Sequence, residues 1–122
     1  MSISWTPKVR EYSGTATSVA AATEIEIDIG RECYVRIVRL RMKRSAGTAA
    51  NFSPGIGIVT GWTVNTVDQV WASASGAVGA LYDEARTDRW CKTDVNGKLW
   101  LRPIPDAGAD NTFSWVLFVE VI

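Results

Sequence analysis

Hydrophobic positions are densest in residues 113–122, where only Ser114 and Glu120 are polar. Phe113, Trp115, Leu117, Val119 and Val121 share one parity; Val116, Phe118 and Ile122 share the other. A strand alternates its side chains between two faces, so apolar residues on both parities need cover on both faces, from the chain itself or from a partner. Aromatic and β-branched content favours strand over buried helix, and the run is too short to cross a bilayer as a helix. The pattern predicts a central strand or one at a subunit interface.

The clearest alternation lies upstream, in residues 23–29. Ile25, Ile27 and Ile29 face one way, and Glu24, Glu26 and Asp28 the other, which predicts a half-buried strand. Gly30, Arg31 and Glu32 read as a turn, after which Cys33, Val35 and Ile37 continue the apolar parity. The parity flips at Ile37 and Val38, so that Leu40 and Met42 become the apolar positions. One extra residue in a strand reverses which face each later side chain takes, so the flip predicts a β-bulge. A hairpin closed at Gly30 would pair Ile29 with Cys33, Ile27 with Val35 and Ile25 with Ile37. It would set Glu26 opposite Arg36 and Glu24 near Arg39, as cross-strand ion pairs on a solvated face. Arg41, Lys43 and Arg44 are left over and are the cations free to meet another chain.

Residues 1–8 read as an extended arm carrying Trp5 and Pro7, followed by one domain over 9–122. Residues 9–17 form a first strand. Residues 45–55 form a small-residue loop anchored by Phe52, and residues 55–61 a short strand. Residues 67–72 fit a strand or a short helical turn. Another strand begins near Tyr82, followed by a charged turn over Asp83, Glu84, Ala85 and Arg86. Asn96-Gly97 is the strongest hairpin signal, and 98–102 alternates with Leu99 and Leu101 on one face and Trp100 on the other. Many short strands with Gly, Ala and Ser connections indicate an all-β chain: a single-domain antiparallel β-sandwich of the jelly-roll kind, or an irregular barrel.

Composition narrows the role. The chain has 122 residues, 13 Lys plus Arg against 13 Asp plus Glu, and no histidine. Charge balance argues against a nucleic-acid partner and tolerates assembly. The lack of histidine removes the commonest general base and metal ligand. Cys33 and Cys91 match no zinc spacing and read better as free thiols than as a disulfide. No stretch reads as a signal peptide or a membrane span, so the chain is expected to be made in the cytoplasm, with no membrane partner.

The candidate chemistry is thin. Asp106, Asp110 and Asn111 could offer oxygens to calcium but lack EF-hand spacing and read better as turn residues. Asp83, Glu84 and Asp88 are the densest carboxylates, yet neighbours in a strand or turn face apart, which does not make a glycosidase pair. No nucleophile-elbow pattern or cofactor motif is present. Six tryptophans could stack on sugars, and Trp100, on the charged parity, is the best placed, with Trp62 and Trp71 bordering loops. Interface or core is the preferred use for them.

The polar start (1–14), the small-residue loops (46–51 and 72–79) and the finish on a full apolar strand resemble small β-sandwich proteins of tailed-phage virions. These include capsid decoration proteins and small tail or fibre modules. The resemblance implies a non-enzymatic virion part, made in the host cytoplasm, that binds copies of itself, often as a trimer, or a major capsid protein. The residues expected at such contacts are Trp5, Arg41, Lys43, Trp100, Val116, Phe118 and Ile122. A carbohydrate- or receptor-binding module of a tail fibre is the alternative.

Overall fold

The computed structural model describes residues 8–73, 77–78, 81–86 and 90–122. All regular structure among them is strand: β1 (Lys8–Val19), β2 (Ile25–Asp28), β3 (Tyr34–Ala46), β4 (Asn51–Phe52), β5 (Gly55–Gly57), β6 (Gln69–Ala72), β7 (Ala77–Val78), β8 (Tyr82–Ala85), β9 (Cys91–Lys92), β10 (Lys98–Arg102) and β11 (Asn111–Val121). One sheet runs β1-β11-β3-β8, with β9 also on β3; the other runs β2-β10-β5-β6, and β4 pairs with β7 apart. Every pairing is antiparallel. With β4, β7 and β9 set aside, eight strands remain. In chain order the first sheet takes numbers 1-8-3-6 and the second 2-7-4-5, the strand order of a jelly roll.

β11 is central, between β1 and β3. Its parity divides as its pattern predicts: Phe113, Trp115, Leu117, Val119 and Val121 are buried, and Val116 and Phe118 are half-buried on the outer face. The inner set meets Val35, Ile37, Leu40 and Met42 of β3 and Ile27, Ile56, Trp71, Leu99 and Leu101 of the second sheet in one core. The bulge falls at the parity flip. Phe118 pairs with Arg39 and Val119 with Ile37, so Val38 is the extra residue.

The hairpin at Gly30 does not form. Ile25, Ile27, Cys33 and Val35 do turn toward the core, but β2 pairs with β10 and β3 with β11, in different sheets. Facing is set by burial, which the alternation encodes; the choice of neighbour is set by topology, and in a jelly roll this connection crosses between sheets. Glu26 accordingly meets Lys98 and Glu24 meets Arg102, while Arg36 meets Glu120 and Arg39 meets Asp83. The Asn96-Gly97 turn does form, with Gly97 N–H donating to Asp94 O at 3.0 Å and Gly97 at φ 76. It too joins strands of different sheets, β9 and β10. The expected charged turn at Asp83–Arg86 is strand β8 for its first three residues, because Asp83 and Glu84 each find a cation on opposite faces. β1 begins at Lys8, one residue inside the expected arm; Trp5 lies outside the described residues.

Candidate interaction surface

The bulge at Val38 brings the cations of β3 onto the outer face of the first sheet. In register across that face stand Glu11, Phe118 and Arg39, then Ser13, Val116, Arg41 and Asp83, then Thr15, Ser114 and Lys43. Arg39 grips Asp83 with two hydrogen bonds at 2.8 and 2.7 Å, and Arg41 reaches the same carboxylate at 3.4 Å. The Arg39 hydrogen bonds hold the Asp83 carboxyl below its ordinary range, burial opposes this, and the charges of Arg39 and Arg41 add to the lowering. Arg36 pairs with Glu120 at 2.8 Å. Lys43 has no carboxylate partner among the described residues, and Arg44 donates to Gly47 O at 2.7 Å. One carboxylate thus serves two arginines beside an unpaired lysine, leaving this side of the face positive.

Two apolar features lie among these charges. A cavity of about 190 Å³ is floored by Met42, Trp115 and Val116 and bordered by Leu81, Ser114, Arg41 and Lys43. At the far end of the sheet Ile122 is 40% exposed, Tyr34 55% and Val9 61%; Ile122 N–H donates to Tyr34 O at 3.1 Å. The structure therefore places Arg41, Lys43, Val116, Phe118 and Ile122 on one face. Sequence reasoning missed Tyr34 and Val9. Tyr34 shares the parity of Arg36, so its outward direction was readable from the alternation of β3.

Trp100 stands elsewhere, on the outer face of the second sheet, half-buried, with its Nε1 donating to Asp94 Oδ2 at 3.1 Å. That face carries a lid. Trp62 lies over Gly55 and Gly57, where a Cβ on Gly57 would overlap the indole ring. Its Nε1 donates to Trp100 O at 3.0 Å, and Arg102 stacks on it at 4.4 Å from the ring centre. Trp62 is 2% exposed and Trp71 1%, so neither offers a face to a sugar.

The carboxylates singled out earlier are engaged locally. Asp110 accepts from Thr48 N–H at 3.1 Å and Thr48 Oγ1–H at 2.7 Å; Asp106 accepts from Ala50 N–H at 3.0 Å. Asn111 accepts from Ala49 N–H at 3.0 Å and donates to Val19 O at 2.9 Å and Ala107 O at 3.0 Å. These oxygens face backbone N–H donors and fasten one loop to another, the arrangement of turn residues rather than of cation ligands. Glu84 accepts a hydrogen bond from the Tyr82 hydroxyl, and Arg86 pairs with it at 2.7 Å. Trp71 Nε1 donates to the Tyr82 hydroxyl at 3.1 Å, and Arg86 stacks on Trp71. Asp83 and Glu84 face apart; Asp88 lies outside the described residues. A second cavity, of about 700 Å³, opens beside this group, with Asn65, Gln69, Trp90 and Cys91 on its walls.

No protein-family model matches the chain, and no curated protein does. Among solved structures, a chain of the cyanophage Pam1 capsid asymmetric unit aligns at 11% identity and a TM-score of 0.46, over 100% of this chain and 91% of that one. A chain of the disulfide-linked pili of Bacillus endospore appendages aligns at 17% identity and a TM-score of 0.37, over 99% and 94%. These are distant likenesses of β-rich chains, and function is argued below from the residues of this one.

Proposed function

We propose that the chain is a non-enzymatic structural subunit of a phage virion, decorating or stabilising a capsid by docking the outer face of its first sheet on a neighbouring subunit. The observation that carries this reading is the second apolar parity of β11. Val116 and Phe118 stand half-exposed at the middle of a sheet whose partner sheet is lidded by its own tryptophan. An apolar strip among charges is the anatomy of an interface, with apolar anchors inside and a polar rim. The rim of Arg41 and Lys43 suits a partner that sets carboxylates around an apolar side chain. The partner is another copy of the chain or a major capsid protein. Ile122 and Trp5 extend the contact. The virion setting rests on the chain's resemblance to small tailed-phage sandwich proteins.

Jelly rolls also serve as sugar-binding domains, and fold alone does not choose between the two uses. The carbohydrate reading keeps one specific observation, the larger cavity with Trp90 on its wall. Co-sedimentation with candidate capsids tests the leading reading. The wild type should pellet with particles, and Phe118→Asp should stay in the supernatant while remaining folded, since the new carboxylate would stand opposite Arg39. Failure of the wild type to bind any particle, together with specific glycan binding lost on Trp90→Ala, would replace this reading with the carbohydrate one.

A further inference from the structure

β1 is an edge strand of 12 residues that pairs, among the described residues, with β11 alone. An unpaired edge is a template for another strand, and monomers blunt such edges with charge, proline or bulges. Here those devices sit only at the ends. Lys8, Arg10 and Glu11 occupy the start, and Arg10 is further tied to Ile29 O at 3.1 Å. The register with β11 shifts between Ala16 and Val19, where Ser18 takes φ 54. Between them residues 12–16, Tyr-Ser-Gly-Thr-Ala, carry no charge, no proline and no register shift. Tyr12 and Ala16 face inward beside the core yet are only half-buried.

We propose that this edge pairs antiparallel with the same edge of a second copy, about a two-fold axis at Gly14. A two-fold pairing is self-complementary, so each position must suit its mirror image. About Gly14, each Tyr12 stands opposite the other copy's Ala16, a large side chain against a small one on the inward face. Each Ser13 stands opposite a Thr15 on the outward face, hydroxyl against hydroxyl. Glu11 meets Thr17 and Arg10 meets Ser18, so no like charges face each other. An axis at Glu11 would set glutamate on glutamate, and a parallel in-register pairing would oppose every charge with itself. Gly14 sets no side chain at the axis, and the Trp115 ring of the same chain fills the space where a Cβ would stand. The partner is thus a second copy of this chain, and the product is one continuous sheet across both subunits. This inference stands apart from the outer-face reading, because it uses the strand's edge and not its face.

Two double variants at exposed positions test the pairing and its register. Ser13→Lys with Thr15→Lys sets lysine opposite lysine twice, and should weaken the dimer at least roughly tenfold by sedimentation velocity. Ser13→Lys with Thr15→Glu sets lysine opposite glutamate twice, and should keep the dimer. Circular dichroism should report folded protein in both cases. As an independent readout on the wild type, amide exchange over residues 12–16 should slow as protein concentration rises. A wild type that stays monomeric at high concentration would overturn the proposal, as would an oligomer indifferent to both variants or one that both variants dissolve equally. Phe118→Asp should leave this dimer intact, so loss of particle binding and loss of the dimer are separate results.

Discussion

The two outer faces of the sandwich handle their middle strands differently. On the second sheet, β5 is stripped to glycine at 55 and 57, and the indole of Trp62 lies in the space those missing side chains leave. Arg102 stacks on the indole, Glu24 holds Arg102 at 3.4 Å and accepts from Gly61 N–H at 3.0 Å, and the loop carrying Trp62 is thereby pinned. On the first sheet, β11 sets Val116 and Phe118 outward between charged neighbours, where they stay half-exposed. A chain that can lid one face from its own loops and leaves the other apolar and cationic has an asymmetry that core packing does not require. The half-exposed face is where a partner gains most, because its apolar residues are not yet fully removed from water.

The largest test of that contrast uses two neighbours in β11. Leu117 is fully buried and Phe118 is not. Leu117→Asp should abolish folding, because an unpaired carboxylate in an apolar core is too costly to keep. Phe118→Asp should fold and lose only its partner. Circular dichroism and sedimentation read the two outcomes, and equal damage from both would mean that the outer face is already core. Next comes the lid. Trp62→Ala should destabilise the monomer by about 3–5 kcal/mol, the range for emptying a buried aromatic site. Phe118→Ala should cost the isolated chain much less in the same urea titration. If Phe118 cost as much as Trp62, the asymmetry between the faces would vanish.

The sequence carried facing better than neighbours. The parity of β11, the inward isoleucines of β2 and the bulge at Val38 all follow from local alternation, because burial acts on each side chain separately. Strand partners depend on which sheet each strand joins, and nothing near Gly30 or Gly97 encodes that the chain there crosses the sandwich. β8 was misread for a related reason. Asp83 looks like a turn residue until Arg39 is placed beside it from a distant part of the chain, whereas the partner of Glu84, Arg86, stands only two residues on. The Trp62 lid was illegible because Gly57 suggested a close approach without naming what approaches. On the interaction surface, the outward direction of Arg41, Lys43, Val116 and Phe118 follows strand by strand from parity, but the pairing of β3 with β11 that brings them together does not, and Trp100 joins the opposite sheet.

A smaller effect is expected where the sandwich closes between β6 and β8. Burial and the hydrogen bond to Glu84 push the Tyr82 hydroxyl from 10.0 up to about 12, and Trp71's hydrogen bond opposes them. A folded-state value above the unfolded one means that this group's contribution is fully present below pH 10 and is lost as pH rises from about 10 to 12. Glu84 has the opposite sense. Burial alone would raise its carboxyl, but hydrogen bonds from Arg86 and Tyr82 and the Arg86 charge bring it below the ordinary value. Its contribution is therefore present at neutral pH and lost on acidification. Tyr82→Phe should flatten the alkaline limb of a thermal-stability profile without altering particle binding, since this group lies off the outer face. A profile unchanged by the substitution would remove Tyr82 from the closure.

The smallest effect concerns the acidic outer side of β2. Glu26 stands in register with Trp100 and reaches Lys98, in a pair whose side chains are 43% and 29% exposed. Water and salt screen such a pair, so Glu26→Ala should leave the urea midpoint within experimental error. Its neighbour Ile27, 2% exposed, should cost roughly 2–5 kcal/mol as alanine. The contrast between adjacent residues tests facing alone; a double-mutant cycle tests the neighbour. Coupling, however small, should appear between Glu26 and Lys98 at low salt and fade as salt is added. Between Glu26 and Arg36 it should be nil, because Arg36 lies in the other sheet and is held by Glu120. Measurable coupling to Arg36 would bring β2 and β3 back into one hairpin. The first sheet would then lose its present order, and with it the outer face on which Val116 and Phe118 stand.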